Sequence, residues 1–109
     1  MLDYAREAIL LAAGWSRGDL DTNRMLQLSP MRLIEIVGEA AGRVSATTRQ
    51  RHPQIPWLQI AGMRNRLIHG YDFVDYDILW QTVSADLPAL VAALEPLVSA
   101  SPEDLESEA

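Results

Sequence analysis

Cysteine is absent from this chain, which excludes disulfides, thiolate nucleophiles and thiolate metal ligands. Lysine is absent too, so apart from two histidines every basic side chain is an arginine, a planar and permanently charged fork suited to phosphate. No uncharged apolar run approaches the roughly 20 residues that cross a bilayer. The longest candidate, 88–100, is interrupted by Glu95 and Pro96, so no membrane association is expected. The N-terminus has Asp3 and Glu7 among its apolar residues and no basic leader, which does not read as a signal peptide; a cytoplasmic location is the expectation. No glycine-rich phosphate loop occurs, and no serine sits in the strained turn of a hydrolase nucleophile. Two histidines seventeen residues apart, without cysteine, make a poor metal site, and neither metal nor cofactor is expected.

What is present is an apolar fraction of 49% over 109 residues, enough for one modest core. The formal charge of −6 argues against a simple nucleic-acid binder, but it is unevenly divided. Residues 40–71 hold Arg43, Arg49, Arg51, Arg64 and Arg66 with both histidines and no acid, a block of +5 against −11 elsewhere. Four of the negative charges lie in the last seven residues.

No sustained period-two alternation or Asn-Gly hairpin signal interrupts a helical pattern. A first helix is predicted from Leu2 to about Trp15, with Tyr4, Ala8, Leu11, Ala12 and Trp15 as its apolar stripe. A second is capped by Asp21 or Thr22 and runs to about Val44, with a kink at Pro30 or a restart capped by Ser29. A short turn of helix follows near 47–51. After the connector 52–56, Pro56 opens a third helix, Trp57 to about His69, stopped by Gly70. Residues 72–75 read as a loop with Asp75 as cap. The last helix runs from Tyr76 to about Val98, bent by Pro88, with Tyr76, Leu79, Trp80, Val83, Leu87, Leu90, Val91, Leu94, Leu97 and Val98 on one apolar face. The expected architecture is all-α: an up-and-down four-helix bundle with an additional short helix over 1–98, followed by an acidic, disordered tail over 99–109.

Chemistry concentrates in Arg64-Asn65-Arg66-Leu67-Ile68-His69-Gly70-Tyr71. These residues can hold a phosphate, move a proton and carry a hydroxyl. On a continuous helix Arg64 falls inside the stripe of Trp57, Ile60, Ala61, Leu67 and Ile68, where a guanidinium is costly unless paired. It either pairs with a second-helix carboxylate, Glu35 or Glu39, or lines a polar cleft for phosphate. Arg64 and His69 lie about 140° apart on an ideal helix and cannot converge on one small ligand as straight-helix neighbours. The helix loosens at Gly70, the cleft is wide, or a second copy completes the site in a symmetric dimer.

The residues carry a family resemblance. Arg64, His69 and Tyr71 form the Arg-x4-His-x-Tyr pattern of the HepT subgroup of HEPN proteins. Ile36-Val37-Gly38-Glu39-Ala40-Ala41 resembles the family's second-helix signature, His52-Pro53-Gln54-Ile55-Pro56-Trp57 precedes the motif as in relatives, and Asp86-Leu87-Pro88 lies in the final helix. The resemblance implies a homodimeric, metal-independent endoribonuclease toxin. Its partner would be an MntA-like nucleotidyltransferase antitoxin that transfers AMP from ATP to the motif tyrosine, here Tyr71. RNA is the implied substrate, with Arg64 and His69 catalytic, Asn65 orienting, and Glu39 and Arg66 in support. The alternative is a non-catalytic HEPN-type module that binds a nucleotide or a nucleotidyltransferase.

Overall fold

The computed structural model describes residues 1–69 and 73–100. Helix α1, Leu2–Ala12, packs on α2, Arg24–Arg43, and on α7, Leu87–Ala100. Between α1 and α2 lies a 3-10 turn, Arg17–Asp21; after α2 comes a short helix α3, Ala46–Arg51. The third arm is α4, Trp57–Ala61, followed by α5, Met63–Leu67, and both pack on α2. Strands β1, Ile68–His69, and β2, Phe73–Val74, pair antiparallel, with Ile68 opposite Val74 and His69 opposite Phe73. The fourth arm is α6, Tyr76–Gln81, a π-helical segment, Thr82–Asp86, and α7. The expected all-α four-helix architecture is therefore present, with short extra helices and, among the described residues, one small pair of antiparallel strands.

Polar caps set several boundaries. Asn23, not Asp21 or Thr22, caps α2: its side chain accepts from the Leu26 N–H at 3.0 Å. Asp19 is taken up instead by a capping box with Ser16 at the start of the 3-10 turn. Ser45 caps α3 and Asp75 caps α6, each accepting an N–H three residues on. Arg17 ties the 3-10 turn to α6 by donating to Asp77 at 2.7 Å and to Asp21 at 3.1 Å. These bonds, Asp77 first, hold its guanidinium above its ordinary pKa.

Pro30 neither ends nor restarts α2, which is continuous from Arg24 to Arg43. Pro88 acts differently. The N–H of Leu87 reaches back five residues to the Thr82 carbonyl, so the turn before the proline is wide. That widening suits a residue with no N–H for the Ser84 carbonyl. Thr82 and Ser84 also donate their hydroxyls to the carbonyls of Ile78 and Trp80.

The core runs through all four arms, with Ala5, Ala8, Ile34, Val37, Ala41, Leu67, Leu79, Leu87 and Leu94 fully buried. Gly38 lets α2 approach α4 closely, since a Cβ there would lie 3.2 Å from the carbonyl oxygens of Ile60 and Ala61. The last arm, Tyr76–Ser99, is long and apolar enough by composition to cross a membrane. Its buried stripe of Leu79, Val83, Leu87, Leu90 and Leu94 is nonetheless part of the common core.

The first helix keeps only Ala8 and Ala12 of its predicted stripe on the buried side. It ends at Ala12, and Gly14 adopts a left-handed φ of 83°. Leu2, Ala5, Ala8 and Ala12 face inward, while Tyr4, Leu11 and Trp15 stay substantially exposed. The small alanines allow close contact with α2, which places the larger apolar groups on the outer side.

Candidate active site

The third arm is where local folding decides the chemistry. Trp57 Nε1 donates to the His52 carbonyl at 3.0 Å, and Ile55 is buried, so the connector holds α4 in place. Gly62 then both ends α4 and begins α5, with φ −92° and ψ 3°. This break removes the premise of a continuous helix from Trp57 to His69. Met63 and Leu67 supply the buried face of α5, and Arg64 is half-exposed instead of core-facing.

Arg64 nevertheless has a partner on the second helix. Its Nε donates to Glu35 Oε2 at 3.0 Å. The other Glu35 oxygen accepts from Arg32 Nη1 at 2.6 Å. Glu35 is thus an anion between two guanidinium groups, with each oxygen taken. The terminal nitrogens of Arg64 have no bonded protein partner among the described residues. Of the two carboxylates considered from the sequence, Glu35 makes the bond. Glu39, one turn further along α2, is exposed and lines the same shallow groove with Glu35, Gly38, Ala61, Arg64 and Asn65. Arg32 was missed by sequence reasoning; its three-residue spacing from Glu35 was the available signal.

Asn65 is exposed beside Arg64 in that groove. Arg66 goes elsewhere. It approaches Asp86 of the π segment at 3.9 Å and borders a second groove with Gln59, Met63 and Leu90. Arg64 and Arg66 therefore face different neighbours, and the structure does not gather them at one point. Two residues of separation on a helix give about 200° of rotation, which accounts for the divergence.

The helix ends at Leu67, two residues before the expected stop. His69 lies on extended backbone in β1, paired with Phe73. The Asp75 N–H donates to the Leu67 carbonyl at 2.8 Å, closing the hairpin against the end of α5. A straight-helix angle between Arg64 and His69 consequently does not apply. Tyr71, expected as the modified hydroxyl, lies outside the described residues, as does the tail 101–109; α7 itself continues to Ala100. Among the described residues no cluster of three or more His, Asp or Glu forms a metal-binding group.

This groove sets an arginine fork beside the polar side chains of Glu39 and Asn65. A Thermococcus cleftensis protein named "Probable ribonuclease HepT" is 37% identical over 100 residues, covering 88% of this chain and 91% of its own length. A Methanocaldococcus jannaschii protein named "Putative RNase MJ1380" is 32% identical over 95 residues, covering 87% of each chain. A third similar protein, "Putative RNase TTE0752" of Caldanaerobacter subterraneus, is 39% identical over 77 residues, covering 71% of this chain and 69% of its own. No solved structure matches the chain. The family description "Ribonuclease HepT-like" matches residues 1–97, and with relatives of this similarity and coverage the chain belongs to the HepT-like ribonuclease family.

Proposed function

We propose that this protein is a metal-independent endoribonuclease that acts as the cytoplasmic toxin of a HepT/MntA toxin–antitoxin pair. The observation that carries the reading is the state of Arg64: bonded at Nε to Glu35, half-exposed, and without a partner at either terminal nitrogen among the described residues. A guanidinium held this way presents a bidentate edge to a phosphate.

RNA brings its own nucleophile. The ribose 2′-oxygen attacks the adjacent phosphorus while its proton passes to a base. The bond from phosphorus to the 5′-oxygen breaks, and that oxygen takes a proton as it leaves. The products are a 2′,3′-cyclic phosphate and a 5′-hydroxyl end. His69 serves as the general base or acid, Arg64 stabilises charge on the non-bridging oxygens, and Asn65 orients His69 or the substrate. No step needs a metal or a cofactor. In this reading the active form is a homodimer in which a second copy contributes to the cleft. An MntA-like antitoxin restrains it by AMPylation: the Tyr71 hydroxyl attacks the α-phosphate of ATP and pyrophosphate leaves.

The Arg64–Glu35 ion pair is also what a non-catalytic nucleotide- or nucleotidyltransferase-binding module would contain. Cleavage separates the two readings. Purified wild-type protein should cut RNA in the presence of a chelator, with Arg64→Ala and His69→Ala each slower by about 100-fold or more. Both variants should keep the parental melting profile and oligomeric mass. Cleavage by His69→Ala at the parental rate would exclude its assigned role. Intact binding without any cleavage by the wild type would favour the module.

A further inference from the structure

We propose that Glu35 is a positioning residue for Arg64, and that Arg32 in turn keeps Glu35 in place. The proposal deepens the nuclease reading above and rests on it.

Three observations converge. Glu35 Oε2 accepts from Nε of Arg64 at 3.0 Å, the nitrogen that a phosphate engaging the Nη edge leaves unused. Glu35 Oε1 is taken by Arg32 Nη1 at 2.6 Å, so the carboxylate cannot turn both oxygens onto Arg64. Glu35 is the most sheltered of the three, with its side chain 27% exposed against 46% for Arg64 and 61% for Arg32. A long arginine side chain on a five-residue helix has many rotamers. A single charged bond to Nε selects among them and leaves the terminal nitrogens for the groove that Arg64 lines with Asn65 and Glu39. The carboxylate orients the cation without occupying the edge needed for substrate. Arg32, which lies one turn earlier on the same helix as Glu35, holds the carboxylate in place.

The test is steady-state cleavage of an RNA oligonucleotide by the purified full-length protein. Glu35→Ala should lower kcat by about 10- to 100-fold, the usual cost of misplacing a group that acts on the transition state. KM should move by less than about threefold. Glu35→Gln keeps an acceptor of the same shape and should stay within about tenfold of the parent. In an Arg64→Lys background, which keeps the charge but has no Nε fork, Glu35→Ala should cost less than about threefold, because there is nothing left to orient. Melting profiles show whether each variant is folded. If Glu35→Ala is not, the same comparison made with Glu35→Met, which fills the space but has no oxygen acceptor, decides: a loss that disappears beside Arg64→Lys supports the proposal, and parental kcat overturns it.

Full kcat in Glu35→Ala while Arg64→Ala is inactive would overturn the positioning role and leave the nuclease reading intact. So would a rise in activity, which would make Glu35 a competitor of the phosphate. An equal loss in both backgrounds would assign Glu35 a role separate from Arg64. Parental cleavage by Arg64→Ala would remove both this proposal and the catalytic role of Arg64.

Discussion

Tyr71 is the residue at which catalysis and restraint part company in the proposed function. A phenol hydroxyl near the cleaved phosphate offers at most one hydrogen bond, worth about 0.5–1.5 kcal/mol net. Its removal should therefore slow cleavage by no more than about tenfold. The same hydroxyl is the only atom of the side chain that can accept AMP, so the modification depends on it entirely. AMP attached there adds a phosphodiester anion to a segment that follows Arg64 by seven residues, and an arginine fork is a ready partner for such a group. Tyr71→Phe should thus remain an active nuclease and gain no mass when incubated with an MntA-like nucleotidyltransferase and ATP. The wild type, treated identically, should gain one AMP and lose cleavage. Intact-mass measurement beside an RNA assay reads both properties; an adenylylated Tyr71→Phe protein would move the modification to another residue.

Among the elements, the contact between α2 and α4 fixes where Arg64 can meet Glu35. Gly38 sits at that contact, facing two backbone carbonyls that have little room to yield. Gly38→Ala gains about 1 kcal/mol of helix propensity and loses a comparable amount to crowding, so its net effect on stability is small. Gly38→Val retains the crowding, adds branching and gives up most of the propensity gain. It should destabilise by about 2 kcal/mol, a fall in melting temperature on the order of 10 °C for a domain of this size. Cleavage should fall in the surviving folded fraction as α2 is pushed away from α4; a Gly38→Val protein that melts with the parent would show the contact to be slack. The same arm marks how far the sequence could be read. The buried face of the last helix, the Asp75 cap and the connector were legible because period and cap chemistry are local signals. The carboxylate partner of Arg64 was legible too, as one of two candidates, but the exposure of Arg64 was not. A helical wheel assumes one axis, and Gly62 breaks that axis two residues before Arg64. The glycine inside the pattern was the visible warning. Likewise, the first-helix stripe was right at Ala8 and Ala12 but not at Tyr4, Leu11 and Trp15, because small residues set the packing distance there while hydrophobicity alone favours the larger ones.

For the whole molecule, the question is how a chain of net charge −6 handles RNA. Its positive charge is concentrated in residues 40–71, the segment that contains both α5 and β1. A two-fold dimer that brings two such segments together would double the local positive field while the acidic remainder faces outward. It would also let Arg64 of one copy and His69 of the other address one phosphate, since the hairpin carries His69 off the axis of α5. Mixed dimers test that arrangement. Co-expression of Arg64→Ala and His69→Ala chains carrying different tags, followed by two-step purification, isolates the heterodimer. If each site draws arginine and histidine from opposite copies, one of the two sites in the heterodimer is whole. Its rate should then approach about half that of the wild type, although either parent alone is nearly inert. If each chain carries its own complete site, both sites in the heterodimer are damaged and its rate stays at the level of the parents.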